Sequence, residues 1–107
     1  MGWSNENSEE KLHPVAQKRP NAYGLLDMHG NVFEWCLDLF NDEGYDGVPS
    51  DGSANMTIGD KRLRALRGGS VMLSAKEIRS GSRSGNLKEQ RSANEGHFGF
   101  RILARLK

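Results

Sequence analysis

A single cysteine, Cys36, is all the thiol this chain of 107 residues carries. One cysteine cannot close an internal disulfide, which excludes the disulfide-stapled class of small domains and favours a reducing compartment, the cytoplasm. Long apolar runs are missing as well. None approaches the roughly 20 residues that a membrane helix needs, so no membrane partner is expected. The start, MGWSNENSEEKLHPV, has neither the basic nor the apolar region of a secretory signal. Gly2 has no Ser or Thr at position 6, where Glu6 stands, and so no myristoylation signal. There is no internal repeat and no heptad pattern.

Glycine, by contrast, is abundant at 13 residues, which implies many turns with positive φ in place of long helices. Apolar content of 36% allows one small domain with a thin core. The net charge of +1 hides an asymmetry. Residues 1–59 hold three basic and ten acidic side chains, and residues 60–107 hold twelve basic and four acidic ones. The halves can attract each other within one fold or across a dimer. A nucleic-acid surface is the less favoured reading, because the arginines sit among Gly and Ser with no recognition-helix or RNP-like pattern.

Local patterns predict a mostly irregular chain. VFEWCLDLF, Val32 to Phe40, reads as a strand that alternates in part, with Phe33, Trp35 and Leu37 on one side. Residues 41–60 read as a long loop, of the kind that is functional, mobile or tied down by an ion. LRALRGGSVML, Leu63 to Leu73, reads as a strand interrupted at Gly68 and Gly69. SAKEIRSGSRSG begins with the pattern of a short helix and ends in turns. NLKEQRSANEGH reads as polar loop, and FGFRILARL, Phe98 to Leu106, as the clearest strand.

Asp27, Asn31, Glu34 and Asp38 offer hard oxygen ligands close together, suited to calcium, although the spacing is not that of an EF-hand. A solvated acidic turn explains the same residues. His13, His29, His97 and Cys36 match no zinc spacing, and structural roles suffice for them. Nothing in the sequence supplies Cys36 with a partner base. RGGS, Arg67 to Ser70, lacks the Lys and following hydroxyl residue of a phosphate loop.

Three blocks in order carry a resemblance: LHPVAQKRPNAYGLLDMHGNVFEWCLD (Leu12 to Asp38), RALRGGSV (Arg64 to Val71), and RSGSR (Arg79 to Arg83) followed by GFR (Gly99 to Arg101). They resemble the formylglycine-generating enzyme, or sulfatase-modifying factor, family. The whole chain, residues 1–107, resembles the C-terminal half of that family's domain. The resemblance implies an α+β, C-type-lectin-like fold of short twisted antiparallel strands, few helices and much irregular structure. It implies structural calcium held by the side chains of Asp27 and Glu34 and the backbone carbonyls of Gly30 and Val32. It implies ligand-binding positions at Ser70, Val71, Leu73, Arg79 and Arg83.

The departures from the family pattern matter as much. The oxidising enzymes carry two copper-binding cysteines after the GGS block. Here Leu73 takes the first position, and Ile78, or a residue close to it, takes the second. Copper is therefore not expected, because an alkyl group cannot replace a thiolate as a soft-metal ligand. Nor do the three histidines reproduce the iron site of the related sulfur–carbon bond-forming group. The expected role is a non-catalytic binding or scaffold module with a protein or peptide ligand. The alternatives are part of an oxidoreductase completed by another chain, or a hypervariable ligand-binding protein of a diversity-generating retroelement. Assembly as a homo-oligomer, or with a missing N-terminal half, is expected to cover the incomplete core.

Overall fold

A computed structural model describes residues 2–87, 97–104 and 106. Four strands form one sheet: β1 (Phe33–Phe40), β2 (Asp60–Arg67), β3 (Arg83–Leu87) and β4 (Phe98–Phe100), in the order β3-β2-β1-β4. β1 and β2 pair antiparallel, with Glu34 opposite Arg67 and Trp35 opposite Leu66. β2 and β3 are antiparallel too, with Leu66 opposite Ser84 and Arg67 opposite Arg83. β4 lies parallel to β1, Phe33 opposite Phe98 and Trp35 opposite Phe100.

The strand expected at Val32 to Phe40 forms almost as read, from Phe33, because its aromatic and β-tolerant residues fit a half-buried pleat. Its alternation breaks at a register shift between Trp35 and Leu39. There the backbone N–H of Leu39 donates to the Asn55 carbonyl (2.8 Å) instead of to β2. Leu37 is consequently exposed and Leu39 buried. Asn55, itself buried, fastens the long loop to β1. Its N–H donates to Asp38 Oδ1 (3.0 Å), and its side chain bridges to the N–H and carbonyl of Ile58 (3.0 and 2.6 Å). The loop extends from Asn41 to Gly59, and Asp60 already belongs to β2.

Several expectations are corrected. No helix occurs among the described residues, so the α+β assignment gives way to a strand-and-loop architecture. The short helix expected at Ser74 is a single turn. Glu77 N–H donates to the Ser74 carbonyl (2.9 Å) and the Glu77 carboxylate accepts from Ser74 N–H (2.9 Å). Ser80, Gly81 and Ser82 follow at once, and one turn does not recover the cost of helix nucleation. The strand read across the glycine pair ends at Arg67, because Gly68 and Gly69 both take positive φ, +87° and +73°. The strand expected through Leu106 stops at Phe100, and Ile102, Leu103 and Leu106 are exposed. The strands are not all antiparallel, since β4 runs with β1. Of the expected polar loop NLKEQRSANEGH, Asn86 and Leu87 belong to β3, His97 precedes β4, and residues 88–96 lie outside the described residues.

The buried apolar residues are Leu39, Leu66, Val71 and Ile78. The N-terminal segment is joined to the acidic turn by a bridge between Trp3 and Gly30. His13 stacks on the Trp3 indole, with centroids 3.6 Å apart and planes 6° from parallel.

Candidate functional site

The acidic turn is built by backbone that few residues adopt. Asp27, Gly30 and Asn31 all have positive φ, +54°, +77° and +63°. Gly30 donates its N–H to the Gly68 carbonyl (2.6 Å), and a side chain at Gly30 would collide with the Trp3 backbone. Asn31 is a buried hub. Its carboxamide exchanges two hydrogen bonds with the His13 backbone (3.0 and 2.9 Å). Its own N–H donates to the Trp3 carbonyl (2.9 Å), and its carbonyl accepts from Val71 N–H (2.9 Å). The turn is thus locked to the N-terminal segment and to the GGS block.

Asp27, Gly30, Val32 and Glu34 line one cavity of about 360 Å³ on the side of β4. The sequence reading missed the group that joins them, Arg101. Its guanidinium grips both carboxylate oxygens of Glu34 (2.9 and 2.7 Å) and donates to the carbonyls of Leu26 and Asp27 (2.8 and 2.9 Å). These bonds to Glu34 push the Arg101 pKa further up. The signal was available, because Arg101 is the last residue of the GFR block. Asp27 Oδ2 accepts from Ala16 N–H (2.7 Å). Among the described residues no three His, Cys, Asp or Glu side chains gather where they could hold a metal. An ion here would need backbone carbonyls beside the two carboxylates. That donor set suits a hard divalent cation in kind, and the ion would share Glu34 with Arg101.

The GGS face divides the other candidates. Leu73, Arg79 and Arg83 line a cavity of about 570 Å³ together with Phe33 and Lys76. Ser70 and Val71 are buried, 1% and 0% exposed, and present no surface to a ligand. Val71 instead packs in the core, and the Ser70 hydroxyl accepts from Met72 N–H (3.3 Å). Ile78 is buried beside Gly69, and its carbonyl meets His29 Nδ1 at 2.7 Å. His13 and His29 are thus held by backbone carbonyls, His13 Nε2 meeting that of Ser8 at 2.9 Å. Cys36 lines a separate cavity under the long loop. Burial raises its thiol pKa, with Asp38 adding to the rise and Arg67 opposing it, so this is a poorly ionised thiol.

Residues 2–106 match the sulfatase-modifying factor enzyme 1-like domain. The chain belongs to that family. A sulfatase-modifying factor relative, the formylglycine-generating enzyme of Streptomyces coelicolor, is 36% identical over 99 residues. That alignment takes in 90% of this chain and 30% of the enzyme. Among solved structures, PvdO from Pseudomonas aeruginosa superposes with a TM-score of 0.76 at 33% identity, covering 92% of this chain and 36% of PvdO. Treponema denticola variable protein 1 superposes with a TM-score of 0.69 at 35% identity, covering 92% of this chain and 34% of that protein. The shared architecture is the C-type-lectin-like fold of the family. The chain spans about a third of the length of these relatives.

Proposed function

We propose that this chain is a non-catalytic, ligand-binding module of the sulfatase-modifying factor family. The observation that carries the reading is the pair of alkyl side chains at the family's redox positions. Leu73 faces a cavity, and Ile78 has become part of the core at 6% exposure. Thiol oxidation needs a thiolate and a soft-metal ligand, and neither side chain supplies one. Cys36 lines another cavity and burial pushes its thiol pKa up, so it does not compensate.

What remains at the position of the reactive thiols is an open cavity rimmed by Lys76, Arg79 and Arg83 against one carboxylate, Glu77, with Leu73 and Phe33 as apolar contacts. Such a mixture suits a protein or peptide segment with acidic and apolar side chains. Treponema denticola variable protein 1 shares this scaffold. Incubation with copper, oxygen and a Cys-x-Pro-x-Arg peptide is expected to leave the peptide cysteine unchanged by mass spectrometry. Formylglycine in the product would overturn the reading. It would favour the second one, part of an oxidoreductase whose remaining groups come from elsewhere, which the coverage of 30% of the formylglycine-generating enzyme keeps in play.

The same reading includes a structural calcium ion at Asp27 and Glu34, with Gly30 and Val32 lending carbonyls. Its support is the convergence of the four residues on one cavity.

A further inference from the structure

β2 and β3 place Arg67 directly opposite Arg83. Like charges facing each other across an antiparallel pair repel, and sheets generally avoid the arrangement. Here both side chains are half-buried, and neither forms an ion pair with a carboxylate among the described residues. Both guanidiniums instead lie over the ring of Tyr45 from the long loop, 5.8 and 4.9 Å from its centroid. Arg67 donates to the Tyr45 hydroxyl (2.6 Å) and to the carbonyls of Ser80 and Ser82 (3.3 and 3.1 Å). Arg83 donates to the carbonyls of Asn41 and Asp42. All of these acceptors are neutral, so neither guanidinium is neutralised by direct contact with a carboxylate, and each keeps donors to spare.

The pair borders the cavity of about 210 Å³ that the long loop closes against the sheet, which shares Arg83, and no other lining residue, with the one around Leu73. Leu39, Val48, Pro49 and Ala65 give it apolar walls, and Asp38 adds one negative charge. We propose that this cavity binds a carboxylate, with Arg67 and Arg83 clasping the oxygens and the apolar walls taking a short hydrocarbon stem. Arginine forks match a carboxylate's two oxygens, and a charge-assisted bond of this kind is about twice as strong as a neutral one. The two arginines and Asp38 leave a net of one positive charge, which one carboxylate balances. A phosphate dianion would meet excess negative charge beside Asp38. The volume falls below the roughly 300 Å³ at which pockets for drug-sized ligands begin, which limits the guest to a few heavy atoms. A free short-chain acid and a glutamate side chain on a peptide both have that chemistry.

The test follows the Arg67 and Arg83 side-chain N–H signals by NMR during titration with sodium butyrate, an N-acetylated, C-amidated glutamate, and inorganic phosphate, each at ionic strength matched with chloride. Saturable shifts of both arginines with butyrate or with the capped glutamate are expected. Tighter binding of the capped glutamate assigns a peptide, and tighter binding of butyrate a free acid. Arg83→Gln and Arg67→Gln should each weaken the binding by about tenfold or more. A cooperative melt of each variant shows that it is folded. If a variant does not fold, the titration of the unaltered protein still decides by whether both arginine signals move. Response to phosphate alone, shifts no larger than chloride gives, or equal affinity in the folded variants would overturn the proposal.

Discussion

Gly24 and Gly30 hold nearly the same backbone conformation, φ +78° and +77°, yet differ in what surrounds them. A Cβ on Gly24 would meet nothing within 4 Å, whereas one on Gly30 would be driven into the Trp3 backbone. Gly24→Ala is therefore expected to cost only the left-handed penalty of an L-residue, about 1–2 kcal/mol. Gly30→Ala should cost distinctly more, or prevent folding, because the N-terminal segment must detach to make room. Urea unfolding of the two variants measures the difference, and equal losses would show that the Trp3–Gly30 bridge contributes little. The family resemblance assigned Gly30 a use, lending its carbonyl to an ion. Its contact with Trp3 could not be read locally, because the partner arrives from the far end of the N-terminal segment. Asn31 shows the same limit. It was legible as an oxygen donor at an acidic turn, but its side chain is consumed by the His13 backbone.

Among the elements, β4 is short but has a large mechanical role, since Arg101 just beyond it ties the sheet edge to the acidic turn. The same contact bears on calcium. If an ion is bound through Asp27 and Glu34 in the folded chain alone, it stabilises the fold by about 2.7 kcal/mol at a hundredfold excess over its Kd. For a domain of this size that is a shift in Tm on the order of 10 °C. Chelation should lower the Tm by that amount. Glu34→Gln should abolish the calcium response, whatever it costs through the lost Arg101 pair. A melt indifferent to both calcium and chelator would remove the ion from the account. The legible elements were those whose apolar residues also face a neighbour. Phe33 to Phe40 qualified, with Phe33 and Trp35 against Phe98 at 6.2 and 5.6 Å between ring centroids. Ile102, Leu103 and Leu106 are apolar too but are exposed, and apolar content alone does not hold a strand. The parallel course of β4 was invisible for a different reason. It depends on where the long connection from β3 returns the chain, and local pattern carries no record of that.

At the scale of the whole molecule, burial is thin. Four apolar side chains form the buried core among the described residues, while Val15, Tyr23, Phe100, Ile102 and Leu103 are each at least 74% exposed. The radius of gyration, 14.2 Å, exceeds the roughly 13 Å of a compact chain near this length. Val15 and Phe100 line the same cavity beside Arg101, so part of this exposure is contiguous. Patches of several hundred Å² seldom persist on soluble monomers. A second copy of the chain is one surface that can cover this face. The charge asymmetry favours that outcome. Residues 1–59 carry a net −7 and residues 60–107 a net +8. The ion pairs among the described residues join the two regions once, at Glu34 and Arg101. Much of the opposite charge is thus left for a two-fold contact that sets acidic on basic surface in both directions. Light scattering of the purified chain is expected to give a mass at least twice 11.9 kDa at moderate salt. Ile102→Asp combined with Phe100→Asp should reduce it to the monomer without loss of the sheet, since both side chains are exposed in the single chain. A monomer of 11.9 kDa that melts cooperatively would show instead that Leu39, Leu66, Val71 and Ile78, with the backbone links through Asn31 and Asn55, suffice to hold the fold.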